Sequence, residues 1–309
     1  MKKALLLSTL IAVIAIGTTW GVREAAAQVP TRYVLTILDR SGSMTAVRTS
    51  GETRWVAAKA RAKDKIDLFS SVPGQTLVSV WSFANAGYTQ HTIGFVSPTA
   101  AKSTIDALPG PTGSTPLAIT ACDAVGSLIA VTPNRFQRIL QLNSDGEENS
   151  TPTTHSCFGP ASVSAVAPYT LGSWHNKVYT ASQGVVVHVD LFGNNILSAG
   201  AGKREVATKE APFTAQESIS AVTLSVFFQS LASSTGGTYN PVVDSSPAPV
   251  AGDLNSDLCV NDGDLNLVLD NYGKTVPPAD PRADLNFDRK VDETDYLQVF
   301  NYYGNGPRC

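Results

Sequence analysis

Shifted by 31 positions, the C-terminal segment of this chain falls onto itself with nine identities: Asp253/Asp284, Leu254/Leu285, Asn255/Asn286, Asp257/Asp288, Val260/Val291, Asp264/Asp295, Val268/Val299, Tyr272/Tyr303 and Gly273/Gly304. A merely solvated acidic tail has no reason to keep valines in the same register as aspartates. Each copy reads D-x-N-x-D-x-x-V-x-x-x-D and runs into a helical stretch. Oxygen side chains therefore fall at positions 1, 3, 5, 9 and 12 of a loop whose seventh residue offers only its carbonyl, the ligand spacing that Ca²⁺ requires. The expected ligands are Asp253, Asn255, Asp257, Cys259 (carbonyl), Asn261 and Asp264, then Asp284, Asn286, Asp288, Lys290 (carbonyl), Asp292 and Asp295. Val260 and Val291 are expected to join the two loops by a short pairing, and Leu265, Val268, Leu269 and Tyr272 to share one side of the first helix. Leu258 and Arg289 stand at the sixth position, where glycine normally makes the sharp turn.

On these residues, the segment from Ala251 to Asn305 resembles a type I dockerin, a small α-helical, EF-hand-like module with two Ca²⁺ loops that each lead into a helix. Aspartate at the last loop position fits that family better than ordinary EF-hands. The resemblance implies two bound Ca²⁺ and a cohesin domain as partner, chosen in part by loop positions ten and eleven. Here these are Asp262-Gly263 and Glu293-Thr294, so the two copies are not equivalent. A module of fewer than about 70 residues rarely builds a sufficient core, so metal and disulfide are its expected staples.

Charge divides the chain. From Val250 onward eleven acids face five bases, whereas the whole chain of 309 residues carries 26 against 23, which leaves the preceding region close to neutral. With 43% hydrophobic and 16% charged residues, the composition is that of a globular exported protein and has no nucleic-acid footprint. Lys2 and Lys3 precede an apolar stretch from Ala4 to Ile16, and Ala25-Ala26-Ala27 supplies small residues for cleavage. This reads as a bacterial Sec signal peptide, leaving no membrane span after its removal, with an uncleaved anchor as the alternative. The Pro- and Ser-containing stretch from Asp244 to Ala251 reads as a linker. The expected organisation is signal peptide 1–27, a large domain 28–243, linker 244–251 and the calcium module 252–309.

Within the large domain, Tyr33–Leu38 reads as a buried strand and Thr53–Phe69 as an amphipathic helix. Thr76–Phe83 and Thr89–Val96 read as strands, Pro116–Val131 as a helix, Arg138–Leu142 and Val185–Leu191 as strands, and Ser218–Ser233 as a closing helix before a short strand. This alternation predicts an α/β fold: a doubly wound, mostly parallel sheet flanked by helices, with ligands at the carboxyl ends of the strands. The loop after the first strand holds Asp39, Ser41 and Ser43 at alternate positions. Thr115 stands just before a predicted helix and Asp145 just after a strand. Hydroxyls with few carboxylates suit a hard divalent cation.

Those five residues, in that order, resemble the metal ion-dependent adhesion site of von Willebrand factor type A domains, and residues 32–243 resemble that family throughout. The resemblance implies Ser41, Ser43 and Thr115 as direct ligands of Mg²⁺ (or Mn²⁺ or Ca²⁺), with Asp39 and Asp145 as the anions that hold them. It also implies a protein partner whose acidic side chain completes the coordination.

The charge-poor segment Ser150–Gln183 departs from that pattern, and Phe158, Trp174 and His175 either shape a partner surface near the metal or pack the insertion onto the domain. Four cysteines in an exported chain allow three pairings; with two in each domain, Cys122–Cys157 and Cys259–Cys309 are expected. His155 and Cys157 would make a nucleophile pair only with a third group to orient them, and none is visible in the sequence. The expected protein is a secreted or surface-associated, non-enzymatic, metal-dependent adhesion protein that docks to a cohesin-bearing complex. The alternatives are a structural envelope or matrix component and, less favoured, a hydrolase.

Overall fold

A computed structural model describes residues 31–164, 167–193, 215–245, 250–255, 257–306, 308 and 309, with side chains of helix residues 215–223 excepted. The expected signal peptide, 1–27, lies outside the described residues, as does the middle of the expected linker. The large domain is built from strands β1 (Thr31–Asp39), β2 (Gln75–Ala84), β3 (Gly87–Gln90), β4 (Arg138–Ser144), β5 (Val186–Gly193) and β6 (Tyr239–Val243). Its helices are α1 (Arg54–Ser71), α2 (Pro98–Asp106), α3 (Leu117–Val131), α4 (Trp174–Ser182) and α5 (Ala215–Thr235). The six strands form one sheet in the order β3-β2-β1-β4-β5-β6, parallel except for β3.

The alternating directions of β1 side chains explain why its sequence reads as continuously apolar. Leu35 and Ile37 enter a core with α3, α4 and α5 (Leu117, Val125, Trp174, Phe227), while Val34 and Leu38 enter a second core with α1 and α2 (Ile66, Phe69, Ile105). A central parallel strand covered on both faces has no polar side. Strand order reverses between β1 and β4, so their carboxyl ends diverge around the crevice in which such sheets bind ligands.

In the large domain the structure departs from the sequence reading at one strand, adds one helix and decides one open alternative. The strand expected over Thr89–Val96 stops at Gln90, because the Thr92 hydroxyl takes over the ladder: it accepts the Val80 N–H at 3.0 Å and donates to Gly94 O at 3.0 Å. Only Val96 rejoins the sheet, by a single bridge to Val78. Helix α2 was not expected, although Ser97 caps it and Pro98 opens it, a readable start signal. Helix α4 lies inside the insertion and carries Trp174 and His175 into the core, where Trp174 meets the edge of Phe227 at 5.3 Å. Packing therefore claims those two side chains, and burial holds the His175 imidazole down to about 4; Phe158 stays exposed.

The tail contains α6 (Asp262–Asn271) and α7 (Glu293–Asn301) around a core of Val260, Leu265, Val268, Val276, Val291 and Val299. Val260 and Val291 do not join each other. Val260 exchanges backbone hydrogen bonds with Gly304 and Asn305, and Val291 with Gly273 and Lys274. Each loop thus pairs with the turn after the other copy's helix, where Gly273 and Gly304 adopt φ of +75° and +80°, which accounts for the repeated glycine. Of the four residues expected to share one side of α6, Leu265 and Val268 are buried and Leu269 and Tyr272 half exposed. Both expected disulfides are present, Cys122–Cys157 tying the insertion to α3 and Cys259–Cys309 closing the tail.

Candidate metal centres

The end of β1 delivers Asp39 to the floor of the crevice, fully buried. Its Oδ1 accepts the Ser41 N–H at 2.7 Å and its Oδ2 the Ser144 hydroxyl at 2.7 Å, and no Lys or Arg pairs with it among the described residues. Ser41 and Ser43 follow with hydroxyl oxygens 3.0 Å apart, and Ser43 donates to Asp145 Oδ1 at 2.7 Å. Ligands at adjacent corners of an octahedron around Mg²⁺ (about 2.1 Å bonds) lie about 3 Å apart, so the two serines are spaced as such a cation needs.

Thr115 is buried at the start of α3. A Cβ at Gly146 would stand 3.2 Å from the Thr115 hydroxyl and 3.9 Å from Asp39 Oδ2, so glycine there keeps the pocket open between them. The loops are fastened to one another: Gly42 N donates to Gly113 O, Thr115 N to the Asn149 side chain, and Asn149 N to Thr115 O. All five sequence-expected oxygens thus converge from three loops, with Ser43 at the exposed rim. The residues present fit a divalent cation.

One participant was not expected from sequence. Arg54, at the start of α1, donates to Asp145 Oδ2 at 2.8 Å and grips Asp244 through Nε at 2.9 Å and Nη2 at 2.5 Å. Its partners lie 91 and 190 residues away, beyond any local spacing rule. Asp244, expected as the first linker residue, is buried and belongs to this network.

Burial first, and then the neighbouring charge of Asp145, push Asp39 up to about 7 against the hydrogen bonds from Ser41 and Ser144; burial likewise raises Asp145. A raised carboxylate keeps its proton in the folded state and not in the unfolded one across the window from about 4 to 7. The cation-free domain therefore loses stability as pH rises through that window, while cation binding, which displaces the proton, strengthens. Titration calorimetry with Mn²⁺ is expected to show affinity falling about tenfold per pH unit below about 7 and levelling above it. A flat profile from pH 5 to 8 would contradict this assignment.

The two tail loops repeat one hydrogen-bond pattern. In the first, Asp264 accepts the N–H groups of Leu254, Asn255 and Asn261, and Asp253 those of Asp257 and Leu258. In the second, Asp295 accepts those of Leu285, Asn286 and Asp292, and Asp284 those of Asp288 and Arg289. Carboxylate oxygens of Asp253, Asp257 and Asp264 lie within 4.8 Å of one another, a concentration of charge that fits a cation. In the second loop, burial and the nearby Asp295 push Asp284 up to about 8. Leu258 and Arg289 take the glycine-like conformation with φ of +75° and +72°.

Asp123 accepts the Tyr88 hydroxyl at 2.8 Å and lies 3.2 Å from His155 Nε2, so an orienting group for His155 does exist, contrary to the sequence reading. The sulfur of Cys157 is nevertheless committed to its disulfide.

No family model matches the chain, and no curated protein matches it. Among solved structures, it is similar to the conserved hypothetical protein BatB from Bacteroides thetaiotaomicron: 17% identity, 70% of this chain and 92% of that one, TM-score 0.42. It is similar to von Willebrand factor type A from Catenulispora acidiphila: 13% identity, 69% and 38%, TM-score 0.39. It is also similar to proximal thread matrix protein 1 of the mussel byssus with a zinc-occupied MIDAS motif: 17% identity, 70% and 42%, TM-score 0.40. The chain spans less than half the length of the latter two.

Proposed function

We propose that this is an exported, non-catalytic binding protein whose large domain captures a protein ligand through a divalent cation. The observation that carries this reading is the convergence of Asp39, Ser41, Ser43, Thr115 and Asp145 on one crevice. Only two of the five are carboxylates, and one of those is shared with Arg54. Three hydroxyls donate little charge, so a Mg²⁺ or Mn²⁺ held here stays electron-poor and attracts an acidic side chain from outside. Ser43 at the rim leaves that direction open to solvent. The two disulfides support an oxidising compartment, and no helix of the described residues is long and apolar enough to cross a membrane.

The tail is read as a dockerin-like module that takes two Ca²⁺ and anchors the protein to a cohesin-bearing complex. Phe300 and Tyr303 of the α7 end are half exposed beside Asp262, whose carboxylate accepts the Tyr303 hydroxyl at 2.7 Å, which supports a contact surface at loop position ten. The alternative, a matrix or envelope component whose calcium module has no cohesin partner, is favoured if a panel of immobilised cohesins retains none of the protein with Ca²⁺ present.

The first test is Asp39→Ala. Mn²⁺ affinity measured by calorimetry is expected to fall by about 100-fold or more, an effect of the size that loss of a charged interaction produces, while the thermal transition of the domain persists. Unaltered Mn²⁺ binding by a folded Asp39→Ala variant would refute the adhesion-site reading.

A further inference from the structure

The two copies of the tail repeat differ where the second one touches the large domain. At loop position four the first copy has Ser256 and the second Phe287; at position six they have Leu258 and Arg289. No calcium loop needs an aromatic ring at position four. The Phe287 ring lies 5.0 Å from that of Phe69 at the end of α1 and 4.9 Å from His188 of β5, packed against the core of the large domain. The Arg289 guanidinium lies over the Phe136 ring, 3.0 Å from its centroid. Pro277 covers Gly236, where an added Cβ would approach its Cδ to 3.3 Å.

Both docking residues sit in left-handed backbone, Phe287 at φ +57° and Arg289 at +72°, a conformation unfavourable for bulky side chains unless their surroundings hold it. The holding groups are the cage itself. Asp284 accepts the N–H groups of Asp288 and Arg289, and the Asn286 side chain accepts that of Asp288. The cage is buried on the docked side, with Asp284 and Asn286 about 5% exposed or less. Shape of the turn, position of the two docking side chains and geometry of the ligand oxygens are therefore one structural variable.

We infer that the second calcium loop is also the contact surface for the large domain, so that Ca²⁺ bound there latches the tail in place through Phe287 and Arg289. This rests on the calcium reading of the tail. A cation that rigidifies the loop presents both side chains in docking geometry. By reciprocity, docking on Phe69, His188 and Phe136 raises the loop's affinity for Ca²⁺. The first loop carries Ser256 at the corresponding position, a residue with no ring to dock. The departure from glycine at position six thereby acquires a purpose: the side chain of Arg289 reaches the other domain.

The experiment is Ca²⁺ titration calorimetry on the full chain and two variants that keep every metal ligand. Phe287→Ser installs the residue the first loop already uses; Phe136→Ala alters only the large domain. Two sites are expected in the unmodified chain. In each variant one of them is expected to weaken by about 5- to 100-fold, the usual range of coupling between linked sites, with the other unchanged. A large-domain substitution that weakens calcium binding in the tail is an effect no local role of Phe287 explains, and it keeps the test decisive if Phe287→Ser disturbs its own loop. Two sites with unaltered affinities in Phe136→Ala would overturn the latch and leave the calcium module standing. No heat of Ca²⁺ binding in the unmodified chain would overturn both.

Discussion

Replacing Asp295 by alanine is expected to unfold the tail even in saturating Ca²⁺, while the large domain keeps its own thermal transition. The Asp295 side chain is fully buried. It accepts the N–H groups of Leu285 at 2.8 Å, Asn286 at 3.2 Å and Asp292 at 2.9 Å, the last closing a reciprocal cap at the start of α7. Alanine strands those donors, at about 1–3 kcal/mol for each that stays buried, and removes the last expected ligand of the loop as well. The tail has little to set against such a loss. Its core consists mainly of valines and alanines, which in a domain of this size supplies only about 3–5 kcal/mol, and the Cys259–Cys309 disulfide adds to that without replacing the stranded hydrogen bonds. Calorimetric scanning in Ca²⁺ and in EDTA checks this: Asp295→Ala should resemble the EDTA trace of the unmodified protein. A tail transition within about 1 kcal/mol of the original would show that Asp295 is dispensable, contrary to its three hydrogen bonds.

Arg54→Met is expected to cost the large domain about 3–5 kcal/mol, the usual penalty when one member of a buried ionic network is removed. The Arg54 side chain is 14% exposed, and those of its partners Asp145 and Asp244 are 0% and 7% exposed. Burial alone would lower its pKa, but the two carboxylates raise it beyond its ordinary value, so the guanidinium is charged at every accessible pH. Methionine preserves the stem's volume and leaves two buried carboxylates without a cation. Because Mg²⁺ bound in the crevice would supply positive charge next to Asp145 but not next to Asp244, the loss is expected to be smaller in Mg²⁺ than in EDTA without disappearing. Arg54→Lys should recover only part of it, since an ammonium lacks the fork that grips both Asp244 oxygens. Denaturant titrations of the three proteins in each buffer measure these differences. A loss below about 1 kcal/mol in EDTA would mean that the network is solvent-screened rather than buried.

Local pattern made much of this readable. The amphipathic pattern over Thr53–Phe69 foretold α1, whose Trp55, Ala58, Ala62, Ile66 and Phe69 are buried. The alternate oxygens of Asp39, Ser41 and Ser43 came from one turn, where spacing in sequence becomes spacing in space. The repeat foretold the shape of both tail loops, because the oxygen side chains of each expected cage fall within twelve residues. The cysteine partners followed from their division between domains.

Other features depend on contacts that no short window contains. Trp174 and His175 looked equally suited to a partner surface and to packing, and their place beside Phe227 emerges only when α4 and α5 share a face of the sheet. Val260 and Val291 bear the mark of a pairing, but which backbone they pair with depends on how the two copies swap their helix ends. The sequence by itself determined which residues carry oxygens, which segments take helix or strand period and where the charge is concentrated, because these are properties of near neighbours. Only the tertiary structure decided that Arg54 joins Asp145 to Asp244 and that Phe287 enters the base of the large domain. Those contacts span 190 and 218 residues, and burial in a common core, rather than any local rule, brings them together.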